Sequence, residues 1–237
     1  MSRAKRKAKY QPREDNTINF NQAIKNRNIE LRPKSLNQEK LILNLLDESQ
    51  SIVVATGPAG TGKTYLAMLA AIKAFKAKEC ERIILTRPAV GVDDEKHGFL
   101  PGDLNSKMEP WTRPLFDVLR EYYTTKDIER MLESQTIEIS PLAFMRGRTF
   151  KNAYIVADEM QNATPSQTKM LMTRIGENSK IVITGDVEQA DRKTSDNGLI
   201  DLCTKLNAKP SPGLAVCYMT KTDIQRHPII DTVLSLY

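Results

Sequence analysis

A chain of 237 residues, 40% hydrophobic and 27% charged, is long enough for one large α/β core and has the composition of an ordinary globular protein. Its formal net charge of +6 favours an anionic partner. No apolar run approaches the roughly 20 residues of a membrane span, because Lys73 interrupts the best candidate, and the basic, polar start holds no secretory core.

Residues 1–16 carry Arg3, Lys5, Arg6, Lys7, Lys9 and Arg13 with almost no apolar content, so a disordered arm is expected there. Such an arm is either a tether that adds phosphate contacts to a nucleic acid or a solubilising tail. Leu41, Ile42, Leu45 and Leu46 recur at helical spacing and predict a short amphipathic helix over 37–46. Ser51 to Thr56 is an apolar strand, followed by a glycine-rich turn, Gly57 to Thr64, and a helix over 65–78. Ile83-Ile84-Leu85 is the next strand and ends in Thr86-Arg87-Pro88. After a loop with Gly91, Gly98, Pro101 and Gly102, residues 104–123 read as mostly helical, broken or kinked at Pro110 and Pro114. Helix continues over 128–132, and 136–139 alternates like a strand. Ala153 to Ala157 is a buried strand, 165–175 a helix with proline near its first turn, and 181–183 a strand. Residues 199–206 are helical, 214–219 form a strand and 229–236 a closing helix.

Strands alternating with helices, without a repeat or a linker, predict an α/β fold: one domain with a three-layer, doubly wound, mainly parallel sheet. Cys80, Cys203 and Cys217 are odd in number, far apart and free of any C-x-x-C pair. They read as buried, reduced thiols of a cytoplasmic protein, with no disulfide framework or zinc site. His97 and His227 stand alone and are too few for metal chemistry. Trp111, Tyr122 and Tyr123 lie in helical surroundings and read as core.

The turn fits G-x-x-x-x-G-K-[ST], the phosphate-binding P-loop. Gly57, Gly60 and Gly62 let the backbone curl so that successive N–H groups, Thr61 among them, face an anion. The helix behind presents its positive end to the same phosphates. Lys63 supplies a full charge at the β- and γ-phosphates, and the Thr64 hydroxyl is placed to ligate Mg²⁺. In a doubly wound sheet the ligand lies at the carboxyl ends of the strands, where Asp158-Glu159 ends one of them. Asp158 is expected to hold the Mg²⁺ and Glu159 to deprotonate the attacking water. Two acids after a strand can also be a plain helix cap, and only the P-loop upstream favours the catalytic reading. Thr184-Gly185-Asp186 ends the next strand in the same manner, and Gln189 behind it is placed to sense the γ-phosphate. Phosphoryl transfer also needs positive charge at the transition state. Arg87, Arg146, Arg148, Arg174, Arg192 and Arg226 lie by strand ends or loops, with Arg226 the first choice and Arg148 the second. Thr220-Lys221-Thr222-Asp223 imitates the guanine reader of GTPases, but no Asp in the chain has Gly three residues later, so adenine is favoured.

Several strings together resemble one family. These are Gly57 to Thr64, Thr86 to Val90, Gly98 to Leu104, Pro141 to Thr149, Asp158 to Asn162, Thr184 to Asp186 and Arg226-His227-Pro228. From about residue 35 onward the chain is similar to the PhoH-like proteins, and the Gly98 and Pro141 strings are the specific ones. The resemblance implies a single RecA-like P-loop ATPase core over 17–237, similar to the first core domain of superfamily 1 helicases. It places Asn37-Gln38 like the adenine-contacting Q motif. It also implies a cytoplasmic ATP-binding protein of bacterial or phage type, with some members linked to RNA. The sequence departs from the family pattern at Gly91 to Asp94 and at Arg192-Lys193. The functional expectation is a Mg²⁺-dependent ATPase that remodels or translocates on single-stranded nucleic acid, RNA favoured. The alternative is a nucleotide-switched regulatory module with little turnover. A lone core lacks the second domain that supplies an arginine, so the arginine is expected from its own loops or from a neighbour's, and a head-to-tail ring, hexamer favoured, is expected to bring Arg226 or Arg148 across.

Overall fold

The computed structural model describes residues 27–88, 113–189 and 196–225. The basic arm, the Gly98 to Leu104 string, Trp111, Arg192, Arg226 and the expected closing helix lie outside the described residues. Within them six strands form one sheet: β1 (Ile52–Thr56), β2 (Arg82–Thr86), β3 (Ile137–Ile139), β4 (Ala153–Ala157), β5 (Lys180–Gly185) and β6 (Leu214–Tyr218). Their order is β3-β2-β4-β5-β1-β6, and every neighbouring pair is parallel. Among the described residues six α-helices accompany them: α1 (Leu36–Leu46), α2 (Lys63–Lys76), α3 (described over 113–120), α4 (Thr125–Glu133), α5 (Pro165–Met172) and α6 (Gly198–Ala208).

The central strands are apolar without alternation because both faces of a parallel sheet are covered. β1 and β4 are buried at every residue. The two-residue period then decides which layer each side chain joins. Val53, Ala55, Ile83, Leu85, Val156 and Val182 pack with Leu41, Ile42 and Leu45 of α1 and with Leu66 to Ile72 and Ala74 of α2. Ile52, Val54, Ile84, Ile155, Ile181 and Ile183 pack with Leu171 of α5 and with Leu199, Leu202 and Cys203 of α6. The three layers and the doubly wound sheet are as the alternation of elements predicts. Thr56 is level with Gly185, and Thr86 with Ala157, so the carboxyl ends of β1, β5, β2 and β4 form one rim.

Local chemistry sets the helix starts. Ser35 caps α1, and Thr124 with Asp127 and Thr164 with Gln167 form capping boxes at α4 and α5. Several boundaries differ from the sequence reading, three of them for a visible reason. α2 begins at Lys63, two residues early, because the P-loop turn itself winds into the helix. α3 stops at residue 120, and Tyr122 turns into the core at 4% exposure before the Thr124 cap starts α4. α5 stops at Met172 because a strand-like bridge captures the chain: Phe150 N–H donates to Arg174 O at 2.9 Å and Gly176 N–H to Phe150 O at 2.8 Å.

Close packing of α5 on α6 rests on Gly198. A Cβ there would stand 2.3 Å from Thr168 Oγ1 and 2.5 Å from the Thr164 carbonyl oxygen. Gly198→Ala is expected to destabilise the fold by about 1–3 kcal/mol, the usual cost of overpacking. Thermal unfolding should show this as a fall of several degrees, and an unchanged midpoint would contradict the packing described.

Candidate nucleotide site

The turn from β1 into α2 has Gly57 at φ 137°, Gly60 at 81° and Gly62 at 82°. Gly57 also tolerates no side chain, since a Cβ would stand 2.2 Å from Met219 O. The curl aims backbone carbonyls at Lys63, whose side chain is almost wholly buried. An ammonium at that depth requires acceptors. Nζ donates to Gly57 O at 2.6 Å, to Pro58 O at 2.7 Å and to Thr61 Oγ1 at 3.3 Å.

β4 delivers Asp158 to the same rim. Its Oδ1 accepts from Thr64 Oγ1 at 2.8 Å and from Thr184 Oγ1 at 2.5 Å. A hydroxyl and a carboxylate in contact are the sparse protein donor set that Mg²⁺ uses when water and phosphate complete its shell. The residues therefore fit a divalent ion. Among the described residues no cluster of three or more His, Cys, Asp or Glu offers an all-protein metal cage.

Glu159 leaves β4 in the left-handed region, φ 55° and ψ 35°. A non-glycine residue there is held by its surroundings at some cost in strain. Its Oε2 accepts from Gln161 Nε2 at 2.5 Å, and its Oε1 lies 3.9 Å from Arg87 Nη2. Gln161 Oε1 accepts in turn from Asp186 N–H at 3.1 Å. The Asp186 carboxylate accepts from Ala59 N–H in the P-loop and from Glu188 N–H, each at 3.0 Å. Lys63, Thr64, Asp158, Glu159 and Gln189 line one cleft of about 150 Å³.

Sequence reasoning took Asp186 only as the end of a strand, assigned Gln161 nothing, and ranked Arg87 below two other arginines. The repeated pattern of an apolar strand ending in a polar pair was the signal for Asp186. Gln161 stood only within the family-like Asp158 to Asn162 string, with no role of its own, because its importance comes from contacts made across three elements.

Two expected residues are engaged by protein partners. Arg148 does not reach the P-loop of its own chain: β2, β4 and β5 separate β3, where its partner lies, from β1. It pairs with Glu138 through both terminal nitrogens and stacks over Phe150 at 4.5 Å. Gln38 braces the loop: its Nε2 donates to Thr61 O at 3.1 Å and its Oε1 accepts from Lys34 N–H at 2.8 Å. Asp223 is a pin rather than a base reader. Its Oδ2 accepts from Thr220 N–H at 2.7 Å, Thr220 Oγ1 at 3.0 Å and Asn37 Nδ2 at 2.9 Å. Beyond it, Gln225 N–H donates to Gly60 O at 2.9 Å.

A glycine-curled turn folded around its own lysine, with a strand-borne carboxylate meeting the next hydroxyl from beyond an intervening strand, defines a P-loop NTPase with a RecA-like core. The family model described as "PhoH-like protein" matches residues 30–237, and the chain belongs to that family. The PhoH-like protein of Synechocystis sp. is 42% identical over 207 residues, covering 87% of this chain and 62% of the relative. That of Bacillus subtilis is 43% identical over 208 residues, covering 87% and 64%. This chain thus spans about three-fifths of the length of the curated relatives it matches. Among solved structures, the Sulfolobus solfataricus SWI2/SNF2 ATPase core in complex with dsDNA aligns over 83% of this chain and 47% of its own, with 16% identity and a TM-score of 0.47.

Burial opposes ionisation of Asp223, but hydrogen bonds from Ser35, Asn37 and Thr220 outweigh it and hold the carboxyl at about 2, against an ordinary 3.8. A depressed carboxylate pKa stabilises the fold above the unfolded value, and that contribution fades as pH falls through the folded one. Asp223→Asn is therefore expected to lower the thermal midpoint at pH 7, with the gap to wild type closing between about pH 4 and pH 2. A gap that stays constant over that range would show that the charge contributes nothing.

Proposed function

We propose that this chain binds ATP and hydrolyses it with Mg²⁺. The observation that carries the reading is the Thr64–Asp158 contact in the same cleft as Lys63 and Glu159. ATP binding replaces the carbonyl partners of Lys63 with β- and γ-phosphate oxygens, while the loop N–H groups and the α2 N-terminus face the same charge. Thr64 and Asp158 would hold the Mg²⁺, which neutralises phosphate charge when bound. Glu159 takes the proton of the attacking water and Gln189 contacts the γ-phosphate. Lys63→Ala should abolish nucleotide binding or weaken it greatly. Glu159→Gln should keep binding and lose turnover by about 10²–10⁴-fold, the usual worth of a positioned base. Glu159→Gln turning over at the wild-type rate would overturn this mechanism.

The acceptor of the work is proposed to be single-stranded nucleic acid, RNA ahead of DNA, in the cytoplasm. The net charge of +6 and the basic residues 3–13 support this reading. ATPase rate with and without poly-U RNA, at two salt concentrations, tests it. Stimulation that fades with salt is expected, since phosphate contacts release counterions. A low rate unchanged by RNA, with tight nucleotide retention, would instead mark a nucleotide-switched module. The active unit is proposed to be a head-to-tail ring, a hexamer, in which a neighbour's arginine reaches the cleft. Arg226 is the first candidate, and Arg148 would have to exchange Glu138 for phosphate. Such a finger is worth roughly 10³–10⁵ in rate. Mixing Lys63→Ala with Arg226→Ala protein should restore part of the activity that each lacks alone. Turnover by a monomer, independent of protein concentration, would end the ring proposal.

A further inference from the structure

Glu159 is not aimed by its own strand alone. Its carboxylate is bonded to Gln161 and faces Arg87, and neither Thr64 nor Asp158 donates to it or accepts from it within the contacts described. Gln161 has both ends of its amide engaged, one on Glu159 and one on the Asp186 backbone. It is 1% exposed, so neither end has water as a substitute. The bridge also has a matching space in the fold. It crosses Gly185, the last residue of β5, where a Cβ would stand 2.7 Å from Gln161 Oε1 and 3.1 Å from Gln161 N. Asp186, at the far end of the amide, holds Ala59 of the P-loop through its carboxylate. One continuous chain therefore runs Glu159, Gln161, Asp186, Ala59.

We propose that Gln161 is the positioning residue of the hydrolytic base: it sets the direction of the Glu159 carboxylate and ties that direction to the conformation of the phosphate-binding loop. The inference rests on the reading of Glu159 as general base. Because Asp186 grips the loop at Ala59, any shift of the loop on phosphate binding moves the Asp186 backbone and, through the amide, the carboxylate. Gln161 touches no phosphate and transfers no proton. Its contribution falls on turnover, not on nucleotide affinity.

Two variants of the full chain separate the parts of the bridge. Gln161→Leu removes both hydrogen bonds. Gln161→Glu has the same shape and still accepts from Asp186 N–H, but it sets a second carboxylate against Glu159. Two carboxylates in contact share a proton, so the base stays protonated to higher pH. With fluorescent-nucleotide affinity and thermal midpoint measured alongside, Gln161→Leu is expected to lower kcat about 10–100-fold with affinity within about threefold of wild type. In Gln161→Glu the acid limb of the kcat profile should move up by about one pH unit or more. Wild-type kcat in Gln161→Leu together with an unmoved acid limb in Gln161→Glu overturns the proposal. So does a loss of affinity that parallels the loss of rate, which is what a merely structural residue would give. Glu159→Gln is run in the same series. Should it turn over like wild type, or should wild type show no turnover, the hydrolase reading falls and takes this inference with it. An inactive Glu159→Gln beside unaffected Gln161 variants removes this inference alone.

Discussion

A lysine ammonium carried into the protein interior has to be solvated by the protein, and at this site the backbone provides that solvation. The Gly57 and Pro58 carbonyls can face Lys63 only because three glycines take positive φ in one short turn. That turn is held from several directions at once. Met219 leaves no room for a Cβ at Gly57, Asp186 bonds Ala59, Gln225 bonds Gly60 and Gln38 bonds Thr61. α1, β5, β6 and the chain beyond β6 are thus arranged around one turn. The parallel sheet makes this convergence possible, since it brings every strand's carboxyl end to one rim.

One strained residue stands beside that rim. Glu159 keeps a left-handed backbone that costs on the order of 1–3 kcal/mol, tolerated where surrounding structure over-determines it. Asp158 immediately before it donates its N–H to Thr86 O at 3.0 Å, and Met160 immediately after it is fully buried. The chain on both sides is fixed, so the kink between them persists. The same fixation turns the Glu159 side chain away from the direction of β4 and toward Gln161 and Arg87.

Much of this was legible in the residues. Val53 to Ala55 and Ile155 to Ala157 are apolar without a break, and that pattern alone calls for a parallel sheet covered on both faces. The glycine spacing, Lys63, Thr64 and Asp158 could be assigned to one site because each requirement is local to a strand end. The boundaries of α3 and α5 could not be read so well. Whether residues 173–175 stay helical depends on Phe150, distant in sequence, offering its backbone as a partner. The partners of Gln161 and Asp186 were hidden for the same reason: the strand-end pattern marks the position of Asp186 but not its bond to Ala59, and the amide of Gln161 shows its use only once the fold brings Glu159 and Asp186 within reach. The partner of Arg148 was hidden too: Glu138 is supplied by alternation in β3, and periodicity does not announce a salt bridge.

The Arg148–Glu138 pair bears on a matter remote from nucleotide chemistry. β3 ends the sheet on one side among the described residues, and an outermost strand offers unpaired backbone groups to any passing chain. Here that strand is only three residues long, with a charged residue at its centre. A short, charged edge is a poor template for intermolecular pairing. Arg148 holds that central carboxylate in place, and a charge fixed on the edge works against sheet edges of separate molecules zipping together.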